Sequence, residues 1–573
     1  RFGYVTHYAV VQATSISHIS GQPVVAAEVF TSNNNEAWQE YPWSMKDQSD
    51  WALAHGINRF VYHTFAHKPL GDKYRPGMTM GPYGVHWDRG QTWWPMVEAY
   101  HEYISRCSHM MQQGQAVSDI LYLTPEGAPM VFTPPADAME ENGAIPDKKG
   151  YGFDGCSPLM FMEGADVENG KIVFPGATSY EIMVLPYFKT MTPELLEKIT
   201  SLVEKGAKVI GIPPLKSPSL TDYPDCDEKV KQMAEGLWGS LDEPQELTER
   251  KQGEGAVYWG GNLRSGSLYP SYKSTVELLS RLNIPADFKS GNNTIRFGHR
   301  RTADKDIYFI ANRTGEAQKT NCTFRASGTP EIWSGVGGST RKLQQYDTKD
   351  GMTTIDLKFV PFESYFIVFN RNGANKSETG NGEANFPVFT TLKTIEGPWD
   401  VSFDPKFGGP ENIVFNQLQD WTEHEMRGVK YYSGIATYKK KIDVEALGDN
   451  KYFIDLGVVN DIARVKLNGK DIGVVWCAPW RIDVSEALRE GENQLEIEVA
   501  NRWINRLLGD RQEPDRNVRT VKFKDGLMGG QEYQTGRYTF TTRSAMRSFH
   551  FSEPLSSGLL GPVTIQGVVD YFH

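Results

Sequence analysis

Two hydrophobic periodicities alternate along the first 115 residues. Uninterrupted apolar runs predict buried strands at 23–30 and 57–63, while 45–56 and 91–114 carry apolar side chains at helical spacing and end in glycine. Strand–helix–strand–helix order implies parallel strands joined by right-handed crossovers. A complete (β/α)8 barrel takes about 250 residues, and only two or three units are visible. The pattern therefore predicts that residues 1–115 form the C-terminal part of a (β/α)8 barrel.

Residues 116–290 predict a separate α/β domain of flavodoxin-like type. The runs "VSDILYLTP", "YEIMVLPYF" and "AKVIGIPP" are continuously apolar, as expected of strands buried on both faces. Between the last two, 192–206 begins with a threonine cap and ends in glycine, which indicates a helix. The first run is not followed by GxGxxG spacing, so no nucleotide site is expected.

The remaining sequence is typical of antiparallel β-structure. Short alternating segments predict a small β-domain at 291–370, a polar linker at 371–386 and a β-sandwich at 387–573. Asn468 and Gly469, between two alternating runs, predict a tight hairpin turn. The expected fold class is therefore multidomain α/β plus all-β.

Composition excludes some classes of protein. A chain of 573 residues exceeds what one hydrophobic core supports. A net charge of −11 argues against a nucleic-acid binder, which needs a basic surface. No apolar run reaches the roughly 18 residues of a membrane span. The five cysteines are scattered and odd in number, which makes a disulfide framework or a zinc site an unfavoured interpretation.

The aromatic content leaves two interpretations open. The 14 Trp, 26 Tyr and 28 Phe residues can fill large layered cores, or their flat faces can stack on sugar rings. The chain also starts at Arg1, inside apparently structured sequence, and shows no signal peptide. We therefore expect the sequence to be truncated upstream, with any targeting signal lost from view.

The strongest candidate for chemistry is Glu28. Polar residues at the C-terminal ends of barrel strands face the active site, and Glu28 ends a run without other charges. A glycosidase needs two carboxyl groups flanking the scissile bond, although a structural ion pair is the alternative for Glu28. His63 ends the next strand and can bind sugar hydroxyls or serve as a structural histidine.

Further candidates lie in the loops at the same rim. A tryptophan there can either pack the barrel or form the floor of a sugar subsite, and loop carboxylates are more often solvated than catalytic. The candidates are His67, Arg89, Trp93, Trp94, Trp38, Trp43, Glu36 and Glu40.

A dense polar and aromatic patch follows a strand near the C-terminus. It can contact substrate or form a seam between domains, and the seam is the preferred interpretation. Its members are Asn501, Arg502, Trp503, Asn505, Arg506 and Asp510.

Several segments resemble glycoside hydrolase family 106, the α-L-rhamnosidases. The N-terminal ones are "ATSISHISGQPVVAAEVFTS", "WALAHGINRFVYHTFAHKP" and "PGMTMGPYGVHWDRGQTWW". The resemblance continues in "MTPELLEKITSLVEKGAKVIGIPPLKSPSL" and returns in "YYSGIATYKKKIDV", "LNGKDIGVVWCAPWRIDV", "VANRWINRLLGD" and "SGLLGPVTI". It covers most of the chain in the family's order, whereas the last sandwich alone also resembles the sugar-binding domains of family 2 glycosidases.

The resemblance implies an inverting hydrolase that removes terminal α-L-rhamnose from plant polysaccharides or glycosides. Glu28 matches one of the family's active-site glutamates, with the base as its favoured role, and its partner carboxylate is expected upstream of Arg1. A calcium ion near the sugar is also implied, but there is no contiguous EF-hand loop and its ligands stay unassigned. A polymeric substrate implies a periplasmic or extracellular location.

Two other functions stay open at this stage. One is a retaining β-galactosidase of family 2 or 42, although "EVFTSNNNEAW" and "HTFAHKP" favour the rhamnosidase. The other is a carbohydrate-binding fragment without catalysis. With half of the catalytic groups missing, we expect this chain alone to be inactive.

Overall fold

The structure is a computed structural model that describes most of the chain from residue 7 to residue 569. Within that range it leaves out 33–35, 37, 69, 80–83, 128–129, 141–145, 373, 375–376, 446, 449–450, 513–518, 523–531 and 543–552. No helix in the described residues is both long enough and apolar enough to cross a bilayer.

The N-terminal segment alternates helices with two parallel strands, as predicted. Its elements are α1 (His7–Ser20), β1 (Ala26–Val29), α2 (Lys46–Ala54), β2 (Arg59–Tyr62) and α3 (Glu98–Met111). β1 pairs with β2 in parallel, which places Glu28 beside Val61. β1 is shorter than the predicted run 23–30, and only its Val29 is buried. One face of this pair packs against α2 and α3, and the other face is open to solvent.

α1 packs outside the predicted barrel segment. Val11 and Ile19 belong to the two hydrophobic cores of the α/β domain. His18 Nδ1 lies 2.9 Å from Asp154 Oδ1, on the strand Phe153–Cys156. The beginning of the chain therefore stabilises the second predicted domain as well as the first.

The α/β domain contains one mixed sheet with helices on both faces. Numbered along the chain, its parallel strands stand in the order 2-1-3-4-5, and an antiparallel strand follows at the edge. The parallel strands are Ile120–Leu123, Phe153–Cys156, Ile182–Val184, Lys208–Ile210 and Gly255–Trp259, and the edge strand is Thr248–Gln252. The helices are α4 (Pro158–Gly164), α5 (Pro193–Glu204), α6 (Asp225–Trp238) and α7 (Tyr272–Arg281).

Two small additional sheets of short strands belong to this domain. They are Asp166–Glu168, Lys171–Val173 and Ser179–Tyr180 in one small sheet, and Met139–Glu140 with Asp147–Lys148 in another.

The following β-domain packs a five-stranded sheet against a six-stranded sheet. The first sheet contains Phe288–Ser290, Gln318–Phe324, Met352–Phe359, Gln345–Lys349 and Glu378–Asn381. The second contains Thr340–Lys342, Pro330–Trp333, Ser364–Asn370, Lys305–Asn312, Ile295–Arg301 and Gln115–Ala116. The segment predicted as a linker, 371–386, thus contributes a strand of its own, because Glu378–Asn381 pairs with Gln345–Thr348.

The C-terminal region is a second, larger β-sandwich. Its four-stranded sheet contains Val388–Thr394, Thr564–Val569, Lys451–Asp455 and Arg481–Asp483. Its six-stranded sheet contains Ile413–Phe415, Trp399–Ser402, Ile435–Val444, Gly491–Ala500, Ile462–Leu467 and Lys470–Val475. Asn468 (φ 54°) and Gly469 (φ 80°) join the last two strands, which confirms the predicted hairpin turn.

Smaller elements connect this sandwich to the rest of the molecule. Val458–Asn460 pairs with Gly558–Gly561, and the short helix α8 (Arg427–Lys430) and α9 (Ile504–Gln512) lie at the end of the sandwich. One further sheet contains Pro76–Gly77, Phe540–Thr542, Glu532–Thr535 and Arg519–Lys522. It joins the N-terminal segment to the sandwich by backbone pairing of Pro76 with Phe540.

One hydrophobic core joins three parts of the chain. Val29 and Tyr103 of the N-terminal segment, Phe309 of the β-domain, and Trp476 and Ala500 of the sandwich are buried in the same cluster. The ends of β1 and β2 are therefore held by a rigid support.

Candidate active site

Three backbone segments meet where β1 and β2 end. The N–H of Gly84 donates to the carbonyl oxygen of Ser32 (3.1 Å). The N–H of Val85 donates to the carbonyl oxygens of both Phe30 (3.2 Å) and His63 (3.0 Å). The segment 84–87 is therefore fixed beside the carboxyl ends of both strands, which is the edge where sequence reasoning places the chemistry.

Glu28 lies on the open face of this strand pair. Its side chain is exposed, and Oε1 accepts a hydrogen bond from the Thr31 hydroxyl (2.9 Å). The neighbouring Val61 is 52% exposed. Within the described residues nothing covers that face. No cation among the described residues forms an ion pair with Glu28.

His63 follows β2 and is half-buried. Its Nδ1 is buried and has no hydrogen-bond partner among the described residues. Gly84 (φ 91°) passes so close that an added Cβ would lie 2.5 Å from Nδ1. Glycine at position 84 is therefore required both by the backbone conformation and by the contact with His63.

Buried polar atoms without partners are concentrated around His63. Native proteins satisfy nearly all such atoms, so a group of them indicates a place for a polar ligand or ordered water. Five such atoms lie on Ser32 and on residues 86–91, namely Ser32 Oγ, His86 Nδ1, Asp88 Oδ2 and both amide atoms of Gln91, and the described residues hold further ones elsewhere in the molecule. His86, Asp88 and Gln91 belong to "GVHWDRGQ", from which only Arg89 was predicted as a site residue; alternation of polar residues between buried aromatics was the available signal.

Glu36 is buried, which contradicts the expectation of a solvated loop carboxylate. Its Oε2 accepts the N–H of Trp38 (2.8 Å) and its Oε1 accepts the N–H of Glu40 (3.1 Å). Burial raises the pKa of Glu36 to about 8 against the effect of these bonds. His86 Nε2 lies 3.4 Å from Oε2, and burial lowers the pKa of His86 to about 3. Near pH 7 both groups are neutral.

Trp38 and Lys68 complete the support beneath this loop. Trp38 is fully buried, with its ring centroid 4.1 Å from that of His86. The Lys68 ammonium lies 2.8 Å from Asp88 Oδ1 and 5.8 Å from the Trp38 ring centroid. Because Lys68 compensates the charge of Asp88, the segment around His86 can remain buried. Glu40 is half-buried and accepts the Ser44 hydroxyl (2.6 Å).

The other predicted rim residues have separate environments. Trp93 is fully buried in the core, so it packs the fold and does not form a sugar subsite. Trp94 is half-buried against it, at a centroid distance of 6.3 Å. Arg89 is exposed and paired with Asp72 (2.7 Å).

Two more candidates, Trp43 and His67, lie apart from the other predicted rim residues. Trp43 packs edge-on against Phe362 (5.6 Å) and Trp480 (5.9 Å), in the seam between the two β-domains. His67 is exposed in the loop after β2.

The C-terminal polar patch is a buried seam, as preferred from the sequence. Trp503 Nε1 donates to the carbonyl oxygen of Gly90 (2.6 Å), and the Thr92 hydroxyl donates to the carbonyl oxygen of Asn501. Arg502 Nε lies 2.6 Å from Asp461 Oδ2. Residues 501–503, immediately before α9, therefore fix the segment that carries His86, Asp88 and Gln91. The remaining members, Asn505, Arg506 and Asp510, are likewise buried.

The described residues do not form a metal site by themselves. No three side chains of the types His, Cys, Asp or Glu converge on one point in the part of the chain that the structure covers. Both Glu36 oxygens already accept backbone N–H groups. Calcium stays a prediction from the family resemblance.

Sequence and structure comparisons define the class of protein. A sequence model of the α-L-rhamnosidases of glycoside hydrolase family 106 matches residues 5–348. A second model, described as glycosyl hydrolase 2 galactose-binding domain-like, matches residues 417–539. The class is that of the glycoside hydrolases. The chain belongs to glycoside hydrolase family 106, the α-L-rhamnosidase family, and this favours the rhamnosidase over the retaining β-galactosidase.

Two relatives extend over nearly the whole chain. The structure of a rhamnosidase from Novosphingobium sp. PP1Y matches with a TM-score of 0.82 and 29% identity, covering 98% of this chain and 49% of that one. A curated protein of Formosa agariphila, named "Putative beta-glucuronidase", is 26% identical and covers 97% of this chain and 64% of its own length. The chain thus spans about half of the first relative and less than two thirds of the second.

Proposed function

We propose that the protein containing this chain is an inverting α-L-rhamnosidase that acts on terminal rhamnose of polysaccharides or glycosides. The observation that supports this most strongly is a carboxylate, Glu28, at the carboxyl end of a parallel strand in a chain of family 106. The parallel β1–β2 pair supports a barrel remnant, and the order 2-1-3-4-5 supports a flavodoxin-like second domain.

Glu28 acts as the general base in this proposal. Its Oε1 accepts a hydrogen bond from the Thr31 hydroxyl, and its exposed side chain can accept a proton from a water molecule. Inversion requires a second carboxyl group roughly 6.5–9.5 Å away, which protonates the leaving oxygen while the water attacks the opposite face of the sugar. We place that partner outside this chain, as the family resemblance implies.

His63 supplies a sugar contact in this proposal. Sugar hydroxyls donate and accept hydrogen bonds, and a site binds them with a few fixed polar groups. His63 is half-buried and offers Nδ1 as such a group at the end of β2, while the fully buried His86 and Gln91 belong to the segment that supports it. The neutral state of His86 near pH 7 lets its Nδ1 serve as donor or acceptor according to tautomer.

The central experiment is an assay of the full-length protein with chromogenic glycosides. We expect release from an α-L-rhamnoside, and loss of at least about a hundredfold in kcat for Glu28→Gln, because general acid–base groups contribute roughly that much. Glu102→Gln is the matched control, since Glu102 is an exposed carboxylate on α3 paired only with Arg106 at the surface. β-Galactoside and β-glucuronide complete the panel.

Three results would contradict this proposal. Rhamnoside hydrolysis that survives Glu28→Gln would refute the site but keep the activity. Hydrolysis of the β-galactoside or β-glucuronide alone would refute the substrate class. An NMR time course that shows the α-anomer of rhamnose as the first product would refute inversion.

A periplasmic or extracellular location follows from a polymeric substrate, which must be degraded outside the cytoplasm. Activity of whole cells toward an impermeant rhamnose-containing polysaccharide checks this, and activity found only after lysis would contradict it.

A further inference from the structure

A cavity of about 730 Å³ lies between the small β-domain and the C-terminal sandwich. Its walls come from strands of both, and Lys46 of α2 reaches it from the N-terminal segment. The volume is within the roughly 300–1,000 Å³ of small-molecule sites. Glu28, His63 and Glu36 are not among the residues that line it.

The lining is strongly basic. Its described residues include the basic side chains of Lys46, Lys319, Arg341, Lys358 and Arg481, and one acidic side chain, Glu363. The charge of Lys46 is compensated by Asp50 at 2.7 Å, yet the balance stays positive. A concave basic surface concentrates anions because the low-dielectric walls focus the field.

Two of the cations lie close to aromatic rings. Arg481 Cζ lies 3.5 Å from the ring centroid of Phe389, and Arg341 Cζ lies 5.4 Å from that of Phe386. A planar guanidinium carries a fork of N–H donors whose spacing matches the two oxygens of a carboxylate. Asp455 Oδ2 forms an ion pair with Arg481 Nε at 3.6 Å, so a bound carboxylate would share this guanidinium with Asp455.

Glu363 shows that the cations converge on one region of the cavity. The positive charges of Lys46, Arg481 and Arg341 all lower its pKa, while burial, the larger effect, raises it to about 7. Its Oε2 accepts the N–H of Val360 (2.8 Å). The single acidic group of the lining is thus easily neutralised near physiological pH.

We propose that this cavity binds a carboxylate-bearing saccharide, with a uronic acid residue placed against Arg341 and Arg481. The half-buried Phe386 and Phe389 supply apolar surface for the C–H face of a sugar ring. The saccharide class rests on the proposed function, whereas the carboxylate rests on the charges and geometry of the cavity alone. The site would hold acidic parts of a polysaccharide at a distance from the scissile bond set by the fold.

Isothermal titration of the full-length protein tests the ligand class. The probes are a trisaccharide of galacturonic acid, a neutral galactose trisaccharide and inorganic phosphate. We expect the acidic trisaccharide to bind at least about tenfold more tightly than the neutral one, the order of one charged hydrogen-bonding pair. Equal binding of both sugars, or phosphate binding as tight as that of the uronide, would overturn the proposal.

Charge-removing variants test the place. Arg341→Gln and Arg481→Gln should each weaken uronide binding by about tenfold or more. Arg281→Gln, which removes an exposed arginine on α7 outside the cavity, should leave it unchanged. Because Arg481 packs on Phe389, the thermal unfolding of the Arg481→Gln variant is compared with that of Arg481→Lys. If both Arg481 variants misfold, the binding measured for Arg341→Gln decides the test. Undiminished binding in Arg341→Gln would refute the assignment.

The pH dependence gives a second readout. Glu363 is surrounded by the charged or titratable groups of Lys46, Arg341, Arg481, Tyr365 and Cys477. Burial raises the pKa of Tyr365, and it raises that of Cys477 to about 12, so neither group changes its charge between pH 6 and 8. Uronide binding should therefore tighten as pH falls from 8 to 6 through protonation of Glu363, and Glu363→Gln should flatten this profile. A profile that Glu363→Gln leaves unchanged would count against the site.

Failure of this proposal can be separated from failure of the rhamnosidase proposal. The cavity variants should retain hydrolysis of a small chromogenic rhamnoside, and Glu28→Gln should retain uronide binding. Loss of both properties in a folded Arg341→Gln variant would show that the cavity is part of the catalytic site and overturn the inference of a separate subsite.

Discussion

Burial of Glu36 converts a loop carboxylate into a group that is uncharged near neutral pH. The cause is desolvation, which outweighs the two N–H donors and is reinforced by the charge of Glu40. Neighbouring His86 loses its charge for the same reason. Two titratable side chains thus lie against each other without forming an ion pair near pH 7, which allows both to remain beneath the surface.

This arrangement predicts a pH-dependent stability. The pKa of Glu36 is raised from 4.5 to about 8, so the folded state holds a proton that the unfolded chain releases. The contribution of Glu36 to the free energy of unfolding should therefore fall as pH rises from 4.5 to 8, by an amount on the order of a few kcal/mol. The lowered pKa of His86 acts in the opposite direction below pH 6.5, so the fall is clearest between pH 6.5 and 8. Thermal unfolding across this window, compared with Glu36→Gln, measures the effect.

The comparison isolates the proton. Glu36→Gln is expected to lose a hydrogen bond to backbone N–H, which lowers stability at low pH, but to show a shallower decline with rising pH. Glu102→Gln should run parallel to the wild type. Identical slopes for wild type and Glu36→Gln would show that Glu36 is ionised throughout.

At the scale of elements, segment 84–87 depends on one glycine. Gly84 adopts φ 91°, and a Cβ there would lie 2.5 Å from His63 Nδ1 and 2.7 Å from His63 O. Gly84→Ala should lower stability by about 1–3 kcal/mol through backbone strain, and more through the clash. It should also lower rhamnosidase activity by displacing His63.

Gly71→Ala provides the matched control. Gly71 also has a positive φ (77°), but no atom lies within 4 Å of an added Cβ. Denaturant unfolding and kcat/KM should show a larger loss for Gly84→Ala than for Gly71→Ala. Equal losses would mean that contact with His63 contributes nothing beyond strain.

Local patterns predicted most elements because their signals act over a few residues. The Thr192 hydroxyl accepts the N–H of Leu195 and caps α5, as its sequence indicates. By contrast, Glu378–Asn381 has no apolar alternation of its own. It becomes a strand because Gln345–Thr348 offers an unpaired sheet edge.

At the scale of the whole molecule, the sandwich positions the candidate site. Trp503, beside α9, donates to Gly90 O at 2.6 Å across 413 residues of sequence. Trp503→Phe should lower stability by about 1–3 kcal/mol for the lost hydrogen bond, in addition to the lost volume. Activity should fall by roughly tenfold as Asp88 and Gln91 shift.

Trp399→Phe separates volume from hydrogen bonding. Trp399 is also fully buried, but its Nε1 has no partner among the described residues. Trp399→Phe should lower the stability of the protein only through lost packing contacts, and it should leave kcat unchanged. Equal effects of the two substitutions on kcat would refute the role of the Trp503 hydrogen bond in positioning the site.

The sequence by itself determined the order and type of the elements, the multidomain plan, the family and the candidate Glu28, because periodicity, caps and motifs are local or linear signals. Tertiary structure decided which side chains are buried. It placed Trp93 in the core, left Glu28 on an open face, neutralised Glu36 and gathered Arg341, Arg481 and Glu363 around one cavity. These outcomes depend on contacts between residues far apart in sequence, and desolvation exists only once those contacts have formed.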